Sequence, residues 1–115
     1  RGAGLGAGVK RGDVCWYAFA PPDKRRPVLV LTRDSALAVL NGVTIAPITT
    51  TVRGIPSEVL LTESDGMPTT CAVNCDNLQT VPKARLGARI THLSQRKLDD
   101  AAAAVAFALG LDARD

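Results

Sequence analysis

A succession of short apolar runs, each closed by a Gly, Pro or Asn turn, constrains this chain more than any other feature of its sequence. The runs fall at residues 13–20, 28–31, 43–48, 58–61, 71–74 and 88–93, and each has strand rather than helix length. Pro21-Pro22 stops the first, Asn41-Gly42 precedes the third, Gly54-Ile55-Pro56 precedes the fourth and Gly66-Met67-Pro68 precedes the fifth. In the first run Val14, Trp16 and Ala18 share one face and Cys15, Tyr17 and Phe19 the other. Both faces are apolar, so both are expected to be covered. Between the second and third runs, Asp34 is placed to cap a short helix reaching Leu40. The expected fold is mainly β within the α+β class: a small, strongly bent antiparallel barrel with short connecting helices.

One long helical segment ends this pattern. Ser94 reads as its N-cap and Gly110 as its stop. Leu98, Ala102, Val105 and Leu109 form one apolar stripe, and Ala104, Phe107 and Leu111 a second on another side. A helix apolar on two sides is buried on two sides. At 115 residues the chain fits one domain, with hydrophobic residues at 46% of the sequence. So small a domain gains from association, and the second cover is expected from another copy of the chain. The domain is expected over residues 9–115, after a Gly- and Ala-rich flexible leader at 1–8. No apolar run reaches the roughly 18–20 residues of a membrane span.

Cys15, Cys71 and Cys75 make an odd count, which argues against a disulfide framework and suits a reducing cytoplasm. Cys71 and Cys75 are four apart along a strand, about 13 Å, too far to bond unless the chain bends. All three are read as small buried apolar residues. With one histidine in the chain, His92, no metal site is expected. His92 itself reads as a packed or hydrogen-bonded residue rather than a base. The formal charge of +3 permits nucleic-acid binding without establishing it. Lys24, Arg25 and Arg26 form one basic cluster, and Lys83, Arg85 and Arg89 another; from charge alone, solvated loops are the favoured reading of both.

Three segments carry chemistry. Arg26 precedes Pro27, which forces extended backbone and projects the arginine at the mouth of a strand. A guanidinium there can hold a phosphate through two hydrogen bonds, or can be an ordinary surface arginine. Thr49 leaves the strand Ile45-Ala46-Pro47-Ile48 and offers a hydroxyl, in what can equally be a polar loop. Asp76-Asn77-Leu78-Gln79-Thr80 carries donors and acceptors of several shapes, suited to base edges in a single strand or to a hydrogen-bonded turn. No nucleophile elbow and no metal-ligand cluster accompanies them.

The order Lys10-Arg11-Gly12-Asp13-Val14, then Arg26-Pro27-Val28-Leu29-Val30, then Ile45-Ala46-Pro47-Ile48-Thr49, then Asp76 through Thr80 resembles the MazF/PemK family, the toxin halves of bacterial toxin–antitoxin pairs. Lys83-Ala84-Arg85-Leu86 and Ile90-Thr91-His92-Leu93-Ser94 extend the likeness, which runs from about Val9 to Leu111. The resemblance implies a compact SH3-like barrel with a C-terminal helix, a homodimer, and metal-independent cleavage of single-stranded RNA (mRNA, tRNA or rRNA) without any cofactor. It implies that Arg26 and Thr49 are the catalytic arginine and threonine. Attack by the substrate's 2′-hydroxyl would leave a 2′,3′-cyclic phosphate and a 5′-hydroxyl. Lys24, Arg25, Arg53, Asp76, Asn77 and Gln79 are the expected RNA contacts.

The sequence departs from the family's pattern in two places. The segment between the first two strands, residues 21–25, is shorter than in many members. The family's Asp-Gln reads Asp76-Asn77, and its basic residue two positions on reads Gln79. Altered base preference is expected, with activity retained. The partner implied is an antitoxin with an acidic, disordered tail. A different class remains on the same barrel: relatives that poison DNA gyrase without cutting nucleic acid. Those act through the end of the C-terminal helix, where this chain has only Leu111 as an apolar anchor.

Overall fold

Seven strands among the described residues form one curled antiparallel sheet: β1 (Asp13–Ala18), β2 (Arg25–Val30), β3 (Gly42–Thr49), β4 (Glu58–Leu61), β5 (Cys71–Asn74), β6 (Gln79–Pro82) and β7 (Arg89–His92). Among the described residues two α-helices accompany them, α1 (Asp34–Leu37) and α2 (Gln95–Ala108). The computed structural model describes residues 8–22 and 24–112. Most of the expected leader therefore lies outside the described residues. Strand order is β4-β5-β3-β2-β1-β7, with β6 also paired to β3. The result is an open half-barrel with α2 packed against it. No helix among the described residues is long and apolar enough to cross a membrane.

β3 organises the sheet because it pairs with three strands. Residues 42–45 pair with β6, from Gly42↔Pro82 to Ile45↔Gln79. Val30↔Ile45, Leu29↔Ala46 and Val28↔Pro47 join it to β2, and Ile48↔Val73 and Thr49↔Ala72 join it to β5. Pro47 removes a backbone donor, which normally excludes proline from a central strand. Here it sits after the last β6 pair and before the first β5 pair, where the strand changes partners.

The apolar alternation of the strands is used on both faces. Val14, Leu29, Ala46 and Ile48 pack with Val59, Leu61, Val73 and Leu93 beneath α2. Cys15, Tyr17, Val28, Val30, Val43 and Ile45 form the opposite cluster with Leu37, Val81 and Leu86. Cover fades along β1: Val14 is fully buried, Trp16 half-buried and Ala18 exposed. The three cysteines are free and buried, as read from the sequence.

The structure corrects several local expectations. β2 begins at Arg25, because Arg25 and Arg26 pair with Ala18 and Tyr17 of β1. α1 is a single turn ending at Leu37, and its N-cap position is Arg33, with no side-chain cap. The Asp34 carboxylate accepts the Arg11 amide instead (2.8 Å) and ties α1 to the start of β1. β6 was not expected as a strand. In α2 the buried positions are Leu98, Ala101 and Ala104, with Val105 and Ala108 packed beside them. Ala102 and Leu109 of the expected first stripe are exposed, while Phe107 and Leu111 of the second are uncovered in the single chain, on the side where cover was expected from another copy. The helix thus sits rotated from the expected register, with Leu98, Ala101 and Ala104 turned into the core. Ser94 does cap it: its side chain accepts the Lys97 amide at 3.2 Å.

Candidate active site

β2, β3 and β6 converge on one cavity of about 290 Å³. Arg26 enters it from β2. It stands opposite Tyr17 in the β1–β2 register, so it shares Tyr17's face of the sheet. Side chains alternate along a strand. Arg25 therefore lies on the other face, where its guanidinium stacks 4.3 Å from the centroid of the Trp16 ring. Adjacent arginines thus do different things: one lines the cavity, the other covers an indole.

Thr49 lines the same cavity from the last position of β3. Its Oγ1 accepts the backbone amide of Thr51 at 3.1 Å. A hydroxyl can accept and donate at once, so its proton stays available to a ligand. The chain then turns back through Gly54, whose φ of +71° is a left-handed conformation that favours glycine. Glu58 fixes this turn: its Oε1 accepts the amides of Arg53 and Gly54, each at 3.0 Å. Arg53, Thr51 and Glu58 all line the cavity.

The far wall comes from Asn74, Asn77 and Gln79, with Phe19 at the β1 side. The Asn74 side chain accepts the Asp76 amide at 3.0 Å and opens the short 3₁₀ turn Cys75–Asn77. Buried Ser57 pins that turn, its hydroxyl donating to the Asp76 carboxylate and its carbonyl accepting the Cys75 amide. Gln79 is held in β6 opposite Ile45. The strand that sequence reasoning missed is what aims Gln79 at the cavity.

Of the expected site residues, the structure brings together Arg26, Thr49, Arg53, Asn77 and Gln79. Lys24, Arg25 and Asp76 lie outside the lining: Lys24 is exposed, Arg25 stacks on Trp16 and Asp76 serves the turn. The second basic cluster is dispersed. Lys83 donates to the Leu37 carbonyl, Arg85 lies 5.7 Å from the Tyr17 centroid and Arg89 pairs with Asp13. Sequence reasoning passed over Glu58, Phe19 and Asn74. Glu58 and Asn74 look like the polar ends of short strands, and Phe19 like part of a covered face. No local signal marks them, because only the closing of the sheet brings them to Arg26.

His92 stands apart from the cavity. Its Nδ1 lies 2.8 Å from Oδ1 of the fully buried Asp13, which also meets Arg89 and accepts the Lys10 amide. This cluster ties β1 to β7, in keeping with a hydrogen-bonded histidine. Burial pushes the Cys15 and Cys75 thiols up to about 11, with Asp13 and Asp76 respectively adding to it; burial also raises Cys71, with Asp65 adding. None of the three lines the cavity. Among the described residues, no three His, Cys, Asp or Glu side chains are grouped to hold a metal ion.

The cavity thus combines two guanidinium groups, an oriented hydroxyl and the amides of Asn77 and Gln79. Two guanidinium groups and neutral donors against the one Glu58 carboxylate suit an oxyanion, and the amides suit the edges of unpaired bases.

Known proteins give this arrangement a family. Residues 10–109 match the model described as PemK-like, MazF-like toxin of type II toxin-antitoxin system. "Endoribonuclease MazF3" of Mycobacterium tuberculosis is 44% identical over 94 residues, covering 82% of this chain and 91% of that protein. "Probable endoribonuclease MazF2" of the same organism is 42% identical over 94 residues, covering 81% and 90%. Among solved structures, "Mycobacterium tuberculosis toxin MazF-mt6" superposes with a TM-score of 0.78 at 39% identity, covering 85% of this chain and 96% of that one. An "Endoribonuclease in complex with its cognate antitoxin from Mycobacterial species" superposes with a TM-score of 0.80 at 28% identity, covering 90% and 96%. With nearly its whole length matched, this chain belongs to the PemK-like, MazF-like family of type II toxin–antitoxin toxins.

Proposed function

We propose that this protein is the toxin of a type II pair and a metal-independent, sequence-selective endoribonuclease acting on single-stranded RNA in the cytoplasm. One observation carries the reading: Arg26 and Thr49, from two different strands, face a single cavity. The nucleophile is the substrate's own 2′-hydroxyl. The protein supplies stabilisation of charge on the phosphorane. Arg26 hydrogen-bonds and neutralises the non-bridging oxygens, and Thr49 donates its free hydroxyl proton to one of them. The O2′–P bond forms as P–O5′ breaks, leaving a 2′,3′-cyclic phosphate and a 5′-hydroxyl. Arg53 holds a neighbouring phosphate, and Asn77 and Gln79 read base edges.

The relatives named as endoribonucleases support this reading, as does the relative solved with its cognate antitoxin. The working form is a homodimer, and the antitoxin lays an acidic tail over the cationic cavity in competition with RNA. The test is incubation of purified protein with a mixed RNA pool in EDTA, followed by sequencing of the cut ends. Discrete sites with 2′,3′-cyclic phosphate ends are expected. An uncut pool, or 3′-hydroxyl ends, would overturn the assignment.

A further inference from the structure

The proposed reaction requires something to take the proton from the attacking 2′-hydroxyl. Arg26 and Arg53 are cations, and Thr49, Asn77 and Gln79 are neutral groups that do not ionise as bases near neutrality. Among the described residues lining the cavity, Glu58 is the only carboxylate. The other nearby acid, Asp76, lies outside the lining and accepts from Ser57. His92 is held by Asp13 away from the cavity.

The geometry of Glu58 suits the task. Its residue opens β4 and is half-buried. Its Oε1 is held by the amides of Arg53 and Gly54, both at 3.0 Å. Its Oε2 takes part in neither of these bonds. The carboxylate is thus fixed at one oxygen, and it lines the same cavity as Thr49 and Arg26. A base positioned by hydrogen bonds to its non-reacting atom needs little reorganisation when the proton moves.

On the footing of the endoribonuclease reading, we infer that Glu58 is the general base. The O2′ proton passes to Glu58 Oε2 as the O2′–P bond forms. The P–O5′ bond breaks, and the departing 5′ oxygen takes a proton from water. The Glu58 acid then returns its proton to solvent. The charged groups facing Glu58 across the cavity are Arg26 from β2 and Arg53 from the preceding turn; the β5 wall contributes neutral Asn74.

The test is single-turnover cleavage of an end-labelled single-stranded RNA carrying a site found in the pool. Glu58→Gln keeps an oxygen to accept the two amides and loses only the base. Its cleavage rate at saturating RNA is expected to fall by about 10²–10⁴-fold, the range for loss of a general base, with RNA affinity unchanged or tighter. The wild-type rate should fall on acidification while circular dichroism shows the fold intact, and the residual Glu58→Gln rate should lack that limb. Near-wild-type cleavage by folded Glu58→Gln overturns the inference and leaves the endoribonuclease reading standing. If that variant fails to fold, a wild-type rate that stays flat on acidification overturns it just as well. Wild-type protein that cuts no RNA overturns both.

Discussion

The backbone amide of Thr51 donates to Thr49 Oγ1 across 3.1 Å, so the end of β3 orients its own hydroxyl. Thr49→Val keeps the shape and removes both the acceptor and the donor. Its cleavage rate should drop by roughly 10²–10³-fold, the loss typical of one transition-state donor, with little change in thermal midpoint. Arg26→Ala should lose at least as much. Thr49→Ser should retain most activity. Near-normal cutting by folded Thr49→Val and Arg26→Ala would sink the assignment of both residues.

Salt dependence should report which arginines meet phosphate. Arg53 lines the cavity, whereas Arg25 is stacked on Trp16 on the opposite face of β2. Each single-strand phosphate contact contributes a slope of about −0.7 in log affinity against log salt. Arg53→Ala should flatten the slope by about that much, measured by fluorescence anisotropy with an uncleaving Thr49→Val protein. Equal slopes with and without Arg53 would place the phosphates elsewhere.

Association should depend on the outer face of α2. Leu109 and Leu111 are 56% and 68% exposed and border a groove of about 520 Å³ with Leu40, Val105 and Ala106. An apolar surface of this kind on a small domain favours a partner. Sedimentation at micromolar concentration should show a dimer, and Leu109→Glu should shift it towards monomer by placing an unpaired charge in the contact. A wild-type monomer would refute the homodimer.

The buried thiols predict loss of stability in alkali. Cys15 and Cys75 sit at about 11 in the folded protein, against about 8.5 for an exposed thiol. Below the lower value both states are protonated and the difference costs nothing. Between the two, the unfolded chain releases protons that the folded chain keeps, so stability falls as pH rises. Urea midpoints should therefore decline from about pH 8.5 to 11, less steeply in Cys75→Ala. At pH 8 all three thiols should resist iodoacetamide until the protein unfolds.

Much of the fold was legible because strand length, turn residues and a helix cap are local signals. Pro21-Pro22 and Gly66 punctuate the chain wherever they stand, and Ser94 caps α2 as its position before the apolar run implies. Gln79–Pro82 was not legible: a four-residue strand with a terminal proline has too little periodicity to stand out. The site was half legible. Pro27 marks Arg26 and the apolar run Ile45–Ile48 marks Thr49, but the separation of Arg25 from Arg26 depends on pairing Ala18 with Arg25. Glu58 could not be found at all, since its proximity to Arg26 exists only once β3 has joined β2 to β5.

That threefold pairing of β3 bears on how activity is lost. Many enzymes carry their reacting groups on loops that open without the rest of the molecule. Thr49, on the role proposed for it, instead ends a strand bonded to β2, β5 and β6 and is itself paired with Ala72, so its displacement should require loosening of the sheet. Its local opening is tied to the global transition. The β3 amides should be among the slowest in the chain to exchange with deuterium. Progressive denaturant should extinguish cleavage along the same curve as the unfolding of the sheet. A toxin built this way is either whole or harmless, with little middle ground in which a loosened copy could cut RNA without discrimination.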